Sequence, residues 1–150
     1  MNHQIKHLQP SHTSRYEQGY IYPKSIKKNL NPLEPVIYRS SYEKAFIIWL
    51  ESCSKVRGWT SESISITYWL PDGSSHHYYP DFYVEYVNGD KYIIEIKPSN
   101  QTVQPKNKEG WLWREWVKNN YKWRATLAWC REHNMKFRIF TEKTISKLKA

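Results

Sequence analysis

Apolar and polar positions divide the chain into an unpatterned start and a patterned remainder. Up to about residue 37 no apolar periodicity holds, and prolines stand at 10, 23, 32 and 35. This stretch, 1–37, is expected to be an extended basic arm, with 38–150 as the folded domain. From Ser40 the pattern turns helical. Ser40 followed by Glu43 has the spacing of a capping box, and Phe46, Ile47, Trp49, Leu50, Cys53 and Val56 form an apolar stripe that Gly58 would end. Alternation takes over at Ser63–Leu70, with Ile64, Ile66, Tyr68 and Leu70 on one face, before a Pro71-Asp72-Gly73 turn. Two further strands are predicted over Tyr78–Val87 and Lys91–Lys97, joined through Asn88-Gly89-Asp90. A polar loop, 98–110, leads to a long helix from about Trp111 to His133, with Trp113, Trp116, Val117, Trp123, Leu127 and Cys130 near helical spacing and Asn134 as its C-cap. Lys136–Phe140 reads as a strand and Thr141–Ala150 as a basic terminal helix. The helix between them implies that strands 91–97 and 136–140 pair in parallel through a right-handed crossover. The pattern therefore predicts a mixed α/β sheet in the order helix, three-strand antiparallel meander, helix, strand.

Within the meander, Asp81 opens one strand, and Glu95 and Lys97 lie two apart on the next, so the last two share a face. Matching apolar to apolar sets Phe82 opposite Ile96, Val84 opposite Ile94 and Tyr86 opposite Tyr92. That register makes Asn88-Gly89-Asp90 a three-residue loop and puts Asp81 beside Lys97, on the face opposite the apolar set.

Charge adds to this picture. The chain has 23 basic and 14 acidic side chains, a formal net charge of +9, so a polyanion is a natural partner. The segment Tyr22–Lys28 is a candidate phosphate contact or a solvated basic loop. Eight tryptophans and twelve tyrosines can stack on bases or fill a core. The two cysteines, Cys53 and Cys130, form no metal-ligand pair and suit a reducing compartment as small buried groups. With no long apolar run and no apolar leader at the start, no membrane span is expected, and the protein is expected in the cytoplasm.

Two carboxylates and an ammonium at this spacing suit phosphodiester hydrolysis. Asp81 and Glu95 offer hard oxygen ligands to Mg²⁺, with Mn²⁺ able to substitute, and the Ile96 carbonyl between Glu95 and Lys97 is an additional candidate ligand. Lys97 can position the attacking water and stabilise developing negative charge. An ordinary surface ion pair between strands would leave the same three residues. The string Pro80-Asp81, thirteen residues, then Glu95-Ile96-Lys97 resembles the motif of the PD-(D/E)xK nuclease superfamily. Together with Ile37–Glu43, Tyr79–Phe82, Ile94–Pro98 and the stretch from Lys122-Trp123 to Thr141-Glu142, it is similar to the head completion nucleases of myovirus-type tailed phages, across roughly residues 20–145. The resemblance implies a restriction-endonuclease-like core, a Mg²⁺-dependent deoxyribonuclease of endo or exo type, and phage head or portal proteins as partners. It places the protein in the host cytoplasm or with the virion. It implies that Asp81, Glu95 and Lys97 are catalytic, and it matches Glu43 to an acidic metal ligand on the first helix; Glu43 is equally the capping partner of Ser40. His77, Lys106 and Lys108 are candidate DNA contacts, mainly to the backbone. A non-catalytic DNA-binding head assembly protein, or a same-fold nuclease of recombination or restriction, would share these features.

Overall fold

Ser40 behaves as its spacing predicts. Its backbone is extended and its hydroxyl accepts from the Glu43 N–H at 3.1 Å, which starts helix α1 (Ser41–Ser52). The structure is a computed structural model and describes residues 17–23, 28, 30 and 35–148. The far end of α1 is closed by Lys28. Its ammonium donates to the carbonyls of Leu50 (3.1 Å), Glu51 (3.2 Å) and Cys53 (2.5 Å), satisfying acceptors that the helix cannot. Lys28 therefore turns inward instead of offering itself to phosphate; residues 24–27 of that basic segment lie outside the described residues. Lys28→Met should cost about 1–2 kcal/mol of stability, because it strands those carbonyls. Urea denaturation would read this as a lower midpoint, and an unchanged midpoint would show that the cap contributes nothing.

Within the first 37 residues, β1 (Gly19–Ile21) pairs antiparallel with β2 (Val36–Tyr38), and Val36 and Ile37 are buried. The α1 stripe stops earlier than Gly58. Val56 belongs to a strand, β3 (Val56–Ser61), in which Val56 and Trp59 are buried. Gly58 sits mid-strand because Leu30 crosses it: a Cβ there would meet Leu30 Cδ1 at 2.6 Å. The backbone of residues 28 and 30 holds this crossing through Trp59 N to Lys28 O (2.9 Å) and Leu30 N to Trp59 O (3.1 Å).

β3 also alters the meander. The expected first strand becomes β4 (Ile66–Trp69), which pairs with β5 (Ser75–Tyr78) as a separate hairpin. Tyr79-Pro80-Asp81 separates β5 from β6 (Phe82–Tyr86), so the predicted 78–87 strand is two strands. The main sheet runs β3-β6-β7-β8, where β7 is Lys91–Ile96 and β8 is Lys136–Phe140. β3, β6 and β7 are antiparallel, and β8 joins β7 in parallel, as the intervening helix required. The class is as expected; the first strand of the meander is not.

The β6–β7 register differs from the expected one by two residues. Phe82 faces Ile94, Val84 faces Tyr92 and Glu85 faces Lys91. Gly89 decides this. It has φ +94 and donates to the Tyr86 carbonyl at 3.0 Å, so it is the left-handed third residue of a Val87-Asn88-Gly89 loop. A shift of two preserves the face of every side chain. Phe82, Val84, Ile94 and Ile96 therefore still pack with Phe46, Ile47 and Leu50 of α1 in one core.

The other side carries α2 (Gly110–Glu132), which contacts β4 and β8. Its C-terminus is as predicted: Asn134 is left-handed, φ 56, and Met135 N reaches the Cys130 carbonyl at 2.8 Å. Its buried side is not the aromatic one. Asn119, Thr126 and Cys130 are buried, whereas Leu127 is exposed and the tryptophans at 113, 116 and 123 are only half-buried. The tail forms a short helix, α3 (Glu142–Ile145), and Ile145 and Leu148 pack on the core. Both cysteines are buried and free. Among the described residues no helix is long and apolar enough to cross a membrane.

Candidate active site

Three segments meet where α1 begins, β6 begins and β7 ends. Pro80 is buried and interrupts the strand, so that Asp81 precedes the ladder. Asp81 Oδ2 accepts from the Ile96 N–H at 2.7 Å. Its neighbour along the expected pairing is thus the Glu95-Ile96 end of β7, not Lys97. Lys97 is held by its backbone, which donates to the Phe140 carbonyl of β8 at 2.9 Å. The next turn is clamped by Glu142 of α3, which accepts from Ser99 N (2.8 Å) and Ser99 Oγ (2.5 Å), and these bonds hold the Glu142 carboxyl below its usual range.

Glu43 joins a contact at the helix start to a contact with a second acid. One carboxylate oxygen, Oε2, accepts from the Arg39 N–H, one residue before the expected capping partner. The same carboxyl shares a hydrogen bond with Asp81. A reach to Arg39 leaves the head of Glu43 lying across the helix start, toward the strand, so a cap and an acid contact coexist. Arg39, Glu43, Ile96, Lys97 and Gln101 line an open cleft at this point.

The electrostatics are those of crowded, dehydrated acids. Burial and then the charge of Asp81 raise the pKa of Glu43. Burial raises Asp81 also, against the opposing Ile96 N–H. The pair therefore keeps a proton that two separate carboxylates in water would lose. Burial pushes Glu95 up to about 7, although Lys97 and Lys122 both pull it down. Lys97 acts on Asp81 as well as Glu95, which makes it the cation common to both acids.

Oxygen donors of this kind fit a hard divalent ion. Glu95 Oε2 supports the fit most directly: it is buried and has no hydrogen-bond partner. Among the described residues no three acid, histidine or cysteine side chains stand as a ready-made metal cage.

Two residues at the site escaped the sequence reading. Glu62 follows β3, with a left-handed backbone (φ 50) and its N–H on the Asp81 carbonyl at 3.0 Å. Arg39 grips it through Nε (2.7 Å) and a second guanidinium nitrogen (3.3 Å), and its charge raises Glu43, Asp81 and Glu95 alike. Lys122 of α2 is the other. Neither carries a signal in the periodicity: Lys122 lies off the apolar stripe of its helix, and Glu62 falls between Gly58 and Ser63, where the pattern predicts no element. The remaining candidates lie outside the acid cluster. His77 is on the solvent face of the β4–β5 hairpin with exposed Trp69, and Lys106 and Lys108 are exposed on the loop before α2.

Residues 53–142 match the family model described as TnsA-like endonuclease N terminal. The chain belongs to this endonuclease family. The matched span runs from the end of α1 through β8 and so includes Asp81, Glu95 and Lys97. The chain is also 31% identical over 138 residues to the head completion nuclease of Enterobacteria phage T4, covering 84% of this chain and 91% of that protein. The family resemblance drawn from the motif residues is borne out.

Proposed function

We propose that the protein is a Mg²⁺-dependent deoxyribonuclease of phage head completion, with Mn²⁺ able to replace Mg²⁺. The observation that carries this reading is the buried, unpartnered Glu95 Oε2 flanked by two ammonium groups, in a chain of endonuclease family. Asp81, Glu95 and Glu43 would hold the ion, together with the Ile96 carbonyl. When bound, it supplies charge to the phosphate oxygens and an acidified water. Lys97 orients the water and stabilises charge on the phosphate. The β4–β5 hairpin with His77 and the loop bearing Lys106 and Lys108 contact the DNA backbone. Such contacts make recognition dependent on structure rather than sequence. Head or portal proteins are the partners, and the site of action is the host cytoplasm or the assembling virion.

The test is cleavage of supercoiled plasmid and linear duplex with Mg²⁺, with Mn²⁺ and with chelator. Ion-dependent cutting that falls steeply with salt is expected, since basic side chains displace condensed counterions. Nicked plasmid would establish an endonuclease, and shortening of linear ends alone an exonuclease. Folded protein that cuts neither substrate with either ion would overturn the proposal in favour of a non-catalytic DNA-binding assembly protein.

A further inference from the structure

A lysine on the sheet-facing side of a crossover helix is costly unless something there needs its charge. On α2 the buried residues are Asn119, Thr126 and Cys130, and Lys122 stands among them, three residues after Asn119 and four before Thr126. Its own carbonyl accepts from Thr126 Oγ1 at 2.7 Å, so the position is well ordered. The ammonium lies over two rings of the β4–β5 hairpin, 6.0 Å from the centroid of Tyr68 and 5.4 Å from that of Tyr78. Burial, with Lys97 and Lys118 nearby, holds its pKa below the usual lysine value, and Glu95 opposes that shift.

Among the described residues, two buried side-chain oxygens have no hydrogen-bond partner: Glu95 Oε2 and Tyr78 Oη. Both adjoin Lys122, one through charge and one beneath the ammonium. Buried polar atoms are nearly always satisfied, so two orphans beside one half-buried cation mark a place prepared for a further group. Glu95 can be satisfied by a cation. Tyr78 Oη and the ammonium are donors, and Lys97 beside them is a third; what they need is an acceptor of several oxygens and negative charge. A phosphodiester has both.

We propose that Lys122, with Tyr78 beside it, binds the non-bridging oxygens of the DNA phosphate that is presented to Glu95. This rests on the nuclease reading and adds to it the crossover helix as a substrate-binding element. Lys122 supplies charge, and Tyr78 Oη supplies a directed hydrogen bond. The two differ in what they should do to salt dependence. Removing a phosphate-neutralising cation lowers the slope of log K against log salt by about one, whereas removing a neutral donor does not.

The experiment measures duplex DNA binding in chelator, where cleavage is silent, alongside steady-state cleavage with Mg²⁺. Lys122→Gln should weaken binding roughly tenfold at low salt, reduce the salt slope by about one and raise KM. Lys122→Arg should keep the wild-type slope. Tyr78→Phe should weaken binding about threefold to tenfold with the slope unchanged. Thermal midpoints establish that each variant is folded, and Lys122→Arg with Tyr78→Phe suffices if Lys122→Gln is not. Wild-type affinity and slope in folded Lys122→Gln and Tyr78→Phe, with cleavage by the wild type intact, would overturn this proposal alone and leave the nuclease reading standing. Wild-type protein that neither binds nor cuts DNA would overturn both.

Discussion

Lys97→Met and Glu95→Gln are each expected to reduce cleavage by about 100- to 1,000-fold while leaving the protein folded. Lys97→Met keeps the aliphatic stem and removes the cation that acts on both Asp81 and Glu95. Glu95→Gln keeps the size of the side chain and removes the charge that a divalent ion would meet. The loss should fall on kcat more than on KM, because both groups act where charge develops. Asp81→Asn should behave similarly, and Glu43→Gln more mildly, since Glu43 spends one oxygen on Arg39 N. The measurement is single-turnover cleavage with saturating Mg²⁺, with DNA binding followed separately. Wild-type rates from folded Lys97→Met and Glu95→Gln would remove these residues from the chemistry.

The second large effect concerns stability. Glu95 is raised from 4.5 to about 7 by burial, and Glu43 is raised also. In the window between the ordinary carboxylate value and the raised one, the folded chain binds more protons than the unfolded chain, so stability falls as pH rises through it. The penalty is absent below about pH 4.5 and complete above about pH 7 for Glu95, and it extends further for Glu43. For Glu95 it amounts to about 3 kcal/mol, or roughly 6–12 °C in Tm for a chain of this size. Rising pH also relieves the self-repulsion of a chain with net charge +9, which works the other way. The quantity to read is therefore the difference between wild type and Glu95→Gln in chelator, from pH 5 to pH 8. Glu95→Gln should become the more stable of the two as pH rises, and Mg²⁺ should close the gap by stabilising only the wild type. Parallel Tm curves for the two proteins across that range would mean that Glu95 is not held in a dehydrated site.

Some of the side chains behind these expectations were legible in advance. Asp81, Glu95 and Lys97 were found because strand alternation assigns faces without knowledge of partners, and the face survived a register error of two residues. The register itself needed a turn argument that apolar matching alone does not contain: Gly89 had to be the third loop residue, where φ is positive. The helix start at Ser40 was readable because capping is local. Its end was not, because the cap on its last carbonyls is Lys28, more than twenty residues away. β3 is hidden in the sequence for a different reason: Val56, its first residue, continues the apolar stripe of the helix before it.

Local pattern was enough for the elements whose causes lie within a few residues. These are the Ser40 cap, the 82–86 and 91–96 strands with their inward and outward faces, the Asn134 stop and the parallel fourth strand that a crossover helix enforces. The surroundings of the acids took shape only in three dimensions. Glu62 with Arg39 on one side, and Lys122 with Tyr78 on the other, come from segments remote in sequence, and α2 turns a polar stripe to the sheet while its tryptophans stay half-exposed. Periodicity along the chain reports apolar burial, whereas a buried charge is stabilised by partners that the chain supplies only once it has folded.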